Sequence, residues 1–176
     1  MLNPADATTP FVDQPRLGTT TRASQDAIAA ILTPADILLD LDVPTKGRAL
    51  EEIARLIGAR HGLVDGDVHA SLVEREKIGS TGVGCGVAIP HARVKDLLRP
   101  IAAFVRMKMP IPFDAPDGKP VSDLFVLLVP QHATETHLQL LAEVAQMFCD
   151  ESFRERLREC VHVDGIHAAF VRWQLP

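Results

Sequence analysis

Three cysteines in 176 residues, Cys85, Cys149 and Cys160, are too few and too scattered for a disulfide framework or a zinc centre; their number is odd and no C-x-x-C spacing occurs. Long hydrophobic runs are missing as well. The longest, Leu124 to Val129, falls far short of the roughly 20 apolar residues that a membrane-spanning helix requires. Met1 to Arg22 holds no apolar stretch of the kind a secretory signal needs. Basic residues are scattered and the formal net charge is −5, so no electrostatic footprint for nucleic acid is present. These absences point to a cytoplasmic chain with neither nucleic acid as partner nor direct membrane insertion. Any part in transport would need another chain.

What is present is 47% hydrophobic residues in a chain of single-domain size, enough to bury a core. Residues 1–22, rich in Thr, Pro, Asp and Ala without a period, read as a mobile tail, and 23–176 as the domain. Ala27, Ile28, Ile31 and Leu32 suggest a short helix ending before Pro34, and Ile37 to Leu41 a strand. Leu50, Ile53, Ala54 and Ile57 mark an amphipathic helix capped by Thr45 and stopped by Gly62. Asp65 is expected to cap a further helix running to about Lys77. Ile101 to Met107 and Leu124 to Val129 read as adjacent strands, with the turn signal Asp117-Gly118 between them. Leu138, Leu141, Ala142, Ala145 and Phe148 share one helical face; Ser152-x-x-Glu155 reads as a capping box; Ile166, Ala169, Phe170 and Trp173 stripe a last helix. Interleaved strands and helices predict an α/β domain, a mixed β-sheet flanked by α-helices.

The segment EKIGSTGVGCGVAIPHAR, residues 76–93, crowds glycines and small residues ahead of one histidine, His91, fixed by Pro90. Spacing rules out a dinucleotide fingerprint, because a third glycine counted from Gly82 and Gly84 would fall on Val87. It rules out a Walker loop as well, because the first lysine, Lys95, lies beyond the histidine. Ser80 lies in Gly-Ser-Thr-Gly rather than in a nucleophile elbow. Metal ligation is only weakly supported, since His132 and His137 are five apart and no histidine pair has helical i, i+4 spacing. What remains is a surface of hydroxyls and free amides, Ser80, Thr81, Gly82 and Gly84, suited to an oxyanion such as phosphate. A neutral imidazole is also a nucleophile toward phosphorus, so His91 could carry a phosphoryl group. On spacing alone, a tight turn beside an ordinary surface histidine is equally open.

Arg75-Glu76-Lys77-Ile78-Gly79-Ser80-Thr81-Gly82-Val83-Gly84 followed by Gly86-Val87-Ala88-Ile89-Pro90-His91 resembles the signature of enzyme IIA domains of the fructose/mannitol class of the phosphoenolpyruvate-dependent phosphotransferase system. The likeness runs from about Ile28 to Trp173, through Ile111-Pro112-Phe113-Asp114-Ala115, Pro120-Val121, residues 127–130 and Thr136-His137-Leu138; it is strongest to the free-standing, nitrogen-regulatory branch. The resemblance implies a phosphotransferase in which His91 takes a phosphoryl group from the phosphohistidine of a nitrogen-type, HPr-like carrier. Arg75 and His137 are then further site residues, and Ser80, Thr81 and the amides of Gly82 and Gly84 candidate phosphate donors. It implies no cofactor and no metal, and regulatory targets such as potassium-transport or sensor-kinase components. Two alternatives accompany it: a IIA component feeding a fructose- or mannitol-type permease, and an interaction module without catalysis.

The sequence departs from the family in two places. Cys85 stands where asparagine is usual, and reads as a small buried hydrophobe. Ala92 stands where glycine is usual, which permits a helix start after His91.

Overall fold

A computed structural model describes residues 27–132 and 135–174, so the expected boundary between tail and domain at residues 22/23 lies outside the described residues. A short helix α1 (Ala27–Ile31) runs directly into strand β1 (Leu32–Leu41). Then come α2 (Lys46–His61), α3 (Asp65–Ile78), three short strands, β2 (Gly82–Gly84), β3 (Val87–Ala88) and β4 (His91–Val94), and two long ones, β5 (Ile101–Ile111) and β6 (Val121–Pro130). Helices α4 (Glu135–Cys149), α5 (Glu151–Glu159) and α6 (Val163–Arg172) close the chain.

The strands form one mixed sheet in the order β1-β5-β6-β3-β2, with β4 continuing the line of β3 along β6. β5 and β6 are antiparallel, as the Asp117-Gly118 turn requires; β1 lies parallel to β5, β3 and β4 lie parallel to β6, and β2 is antiparallel to β3. The apolar run Leu124 to Val129 is buried on both faces, which explains why it is continuous rather than alternating. One face of the sheet packs on α2 and α3 through Ala49, Leu50, Ile53, Ile57 and Leu72. The other packs on α1, α4, α5 and α6 through Ile28, Val144, Phe153, Ile166 and Phe170. The result is a single three-layer α/β domain.

Local signals explain most element ends. Thr45 caps α2, its hydroxyl accepting from the Arg48 amide, and Gly62 closes it at φ 68°. The first helix ends before Pro34, at Ile31, as expected. β1, however, starts at Leu32 rather than Ile37 and takes in Pro34, which is tolerated because β1 is an edge strand and its ladder is irregular between Leu32 and Ile37.

Other expectations are corrected. The cap of α3 is Val64, with Asp65 already in the first turn. Asp150, not Ser152, caps α5, its carboxylate accepting from the amides of Ser152 and Phe153. The buried stripe of α4 is His137, Leu140, Val144, Met147 and Phe148, while Leu138 is 64% exposed. Ala92 lies buried in β4 instead of opening a helix.

Cys85 is exposed, at the tip of the turn between β2 and β3, with φ 54°. The left-handed region costs an ordinary L residue roughly 1–2 kcal/mol and asparagine less, so the family's asparagine has a backbone reason. Cys85→Asn is therefore expected to raise the free energy of unfolding by about 0.5–1 kcal/mol, read as a higher urea midpoint at unchanged slope. An unchanged or lower midpoint would show that the turn carries no strain.

Candidate active site

β3 and β4 are one line of chain along β6, broken at Ile89-Pro90: Ala88 pairs with Leu124, and His91 with Leu127. Pro90 has no N–H to offer, and its carbonyl accepts from the Leu127 amide at 3.0 Å. Alternation then puts Ala92 and Val94 into the core beneath α2 and α3, and turns His91 and Arg93 to the opposite side.

Both nitrogens of His91 are engaged. Nδ1 lies 2.8 Å from the carbonyl oxygen of Ile89, an acceptor, so Nδ1 carries the proton. Nε2 is left with its lone pair, and the Nε–H of Arg75 donates to it at 2.9 Å. A second guanidinium nitrogen of Arg75 donates to the carbonyl of Gly79 at 3.0 Å, which ties the end of α3 to the start of the glycine loop. His137, in the first turn of α4, sets its ring edge-on to that of His91, with centroids 5.4 Å apart. Only 9% of His137 is exposed, and neither ring nitrogen has a hydrogen-bond partner among the described residues.

Burial pushes the pKa of His91 below the ordinary 6.5; the Ile89 carbonyl opposes this, and the charge of Arg75 adds to it. Burial likewise lowers His137, helped by His91, Arg93 and Arg75. Both rings are therefore neutral at neutral pH.

A cleft of about 350 Å³ opens over these groups, with Arg75, Ile78, His91, Arg93 and His137 in its walls. Of the residues expected from the sequence, the structure brings His91, Arg75 and His137 together. Ser80, Thr81, Gly82 and Gly84 are engaged within the fold. The Ser80 hydroxyl donates to the carbonyl of Phe113 at 2.6 Å, and that of Thr81 to the Glu76 carboxylate at 2.6 Å. Gly82 and Gly84 form β2, paired with Ala88 and Val87. A side chain at Gly82 would meet the backbone of Ala115 at 2.9 Å, so this glycine answers a packing need. Arg93 carries no signal in the sequence; it joins the site because a strand starting at His91 puts residue 93 on the same face. No group of three or more His, Cys, Asp or Glu among the described residues could hold a metal ion, and no described helix is long and apolar enough to cross a membrane.

The chain matches the family described as "Phosphoenolpyruvate-dependent sugar phosphotransferase system, EIIA 2" over residues 30–172. It is 43% identical over 142 residues to a "Nitrogen regulatory protein" of Pseudomonas aeruginosa, covering 80% of this chain and 92% of that one. With the protein of that name from Escherichia coli it shares 45% identity over 115 residues, 65% of this chain and 71% of the other. The crystal structure of nitrogen regulatory protein IIA-Ntr from Neisseria meningitidis superposes with a TM-score of 0.77 at 43% identity, covering 81% of this chain and 98% of that one.

Proposed function

The chain belongs to the EIIA 2 family of the phosphoenolpyruvate-dependent sugar phosphotransferase system, and on that premise we propose that it accepts a phosphoryl group on Nε2 of His91 from a phosphohistidine carrier and regulates partners by its phosphorylation state. The observation that carries this reading is the fixed tautomer: Nδ1–H points at the Ile89 carbonyl and the Nε2 lone pair faces the cleft. The nitrogen-regulatory names of the relatives favour regulation over sugar delivery.

In the step envisaged, the Nε2 lone pair forms the new N–P bond while the donor's N–P bond breaks and leaves its electron pair on the donor ring. The proton on Nδ1 stays where it is, so none need enter or leave. Charge spreads over the equatorial oxygens during transfer, and the protein's task is to aim donors at them. Arg75 moves its Nε–H from Nε2 to an oxygen as the phosphorus arrives, and His137 offers the hydrogen-bonding capacity it leaves unused. The first turn of α4, which carries His137, adds the positive end of a helix dipole. Ser80 and Thr81 act on the phosphoryl group through the loop they hold. Docking needs a carrier of the HPr type, and phosphorylation reverses the charge of the cleft, which gives regulatory partners, potassium-transport or sensor-kinase components among them, something to read.

The pH profile tests this. Because both histidines titrate below 6.5, the rate of phosphoryl uptake from a charged carrier is expected to hold as pH falls through 6.5 and to decline only below it. Stability follows the same sign: the unfolded chain binds protons at these rings first, so the fold loses stability as pH falls from 6.5 toward their folded values. An acid limb at or above 6.5, measured with the carrier's own titration subtracted, would count against a neutral His91 as acceptor.

A further inference from the structure

Glu76 takes no part in the chemistry above, yet its carboxylate is the most engaged polar group near the site. Its side chain is 8% exposed. One oxygen accepts from the Thr81 hydroxyl at 2.6 Å and from the Thr81 amide at 3.1 Å; the other accepts from the Lys46 ammonium at 3.0 Å. Lys46, at the start of α2, also pairs with Asp114 at 2.7 Å and lies 5.2 Å from the ring centre of Phe113, whose carbonyl holds Ser80. Glu76 thus joins the last turn of α3 to the glycine loop and to Lys46 at the start of α2, and Lys46 carries the link on to the loop between β5 and β6. Glu76 is also the residue directly after Arg75, whose guanidinium must meet His91 and Gly79 together.

We propose that Glu76, held by Lys46, is a positioning residue that fixes the last turn of α3 against the glycine loop and so aims Arg75 at Nε2 of His91. The inference rests on the acceptor role of His91 for its kinetic consequence and on geometry alone for the rest. A buried carboxylate with a cation and two donors is rigid, because releasing any partner leaves charge unpaired in a desolvated place. A displacement of about 1 Å at a reacting pair can cost up to about a hundredfold in rate. The Glu76 side chain is 8% exposed and does not line the cleft over His91, so the effect is expected in kcat rather than in KM.

The test compares wild type, Glu76→Gln, Lys46→Met and the double variant in two measurements. The first is the rate of phosphoryl uptake at varied concentrations of charged nitrogen-type carrier. The second is the Arg75 Nε–H resonance of the free protein, which exchanges slowly with water only while it is bonded to His91. Glu76→Gln is expected to lower kcat about ten- to a hundredfold at unchanged KM and to erase the slow-exchanging resonance. Lys46→Met should do the same to a lesser degree, and the double variant should be no slower than Glu76→Gln alone, since the pair acts as a unit. An unchanged kcat and resonance in Glu76→Gln, a change confined to KM, or losses that multiply in the double variant would overturn the proposal. If Glu76→Gln does not fold, Lys46→Met decides by the same two measurements. If wild type takes up no phosphoryl group, the acceptor reading fails, and the resonance alone still confirms or overturns the positioning.

Discussion

Arg75→Ala is expected to slow phosphoryl uptake by a factor on the order of 10²–10³ at saturating carrier, the usual cost of removing one donor aimed at a charge-developing oxygen. The side chain contributes twice. Its Nε–H marks Nε2 in the resting protein, 2.9 Å away, and its charge helps hold the ring neutral. Removing it loses the donor and shifts the acid limb of the rate profile upward, since a nearby cation no longer opposes protonation. Arg75→Lys should recover the charge and only part of the rate, because an ammonium cannot reach His91 and Gly79 together as the planar fork does. Equal rates for wild type and Arg75→Ala would place Arg75 outside the reaction.

Loss of His91 is expected to be complete. His137 is not expected to replace it: among the described residues no carbonyl fixes its proton, so neither nitrogen is presented as a set lone pair. His91→Ala should nevertheless fold, because β4 is held by its backbone pairing with β6 and by Ala92 and Val94 in the core. In the phosphorylated native protein, the phosphorus is expected on Nε2, seen as a phosphorus coupling to that nitrogen in the imidazole spectrum. A coupling to Nδ1 would mean that the Ile89 contact breaks on phosphorylation.

Much of this was readable from residues alone. Thr45 and Gly62 bracket α2 because a hydroxyl and a left-handed glycine act over one turn, within reach of sequence spacing. The β5–β6 hairpin follows from two apolar runs and Asp117-Gly118 in the same way. The failures share a cause, which is competition settled by distant contacts. Asp150 and Ser152 are both good caps two residues apart, and Asp150 also accepts from the Trp173 indole, a contact no local pattern reveals. The apolar residues of α4 admit two helical phases; the sheet selects the one that buries His137 and exposes Leu138.

At the site, the motif around His91 was legible and the geometry was not. Ser80 and Thr81 look like phosphate donors because hydroxyls beside glycines suit an oxyanion. In the fold they meet Phe113 and Glu76 first, the former 33 residues away. Glu76 carried no signal beyond its place after Arg75, since an acid near a helix end is ordinarily a solvated charge. Its burial depends on Lys46, 30 residues earlier. Cys85 misled for a related reason: a small thiol suggests burial, but the turn decides by backbone angle.

The most direct measurement is the intact mass of the native protein and of His91→Ala after incubation with phosphoenolpyruvate, enzyme I and a nitrogen-type carrier, under conditions that preserve acid-labile phosphate. The acceptor reading predicts a gain of one phosphoryl group in the native protein, lost on acid treatment, and none in the variant. No gain in the native protein beside a demonstrably charged carrier, or an equal gain in both, would contradict it.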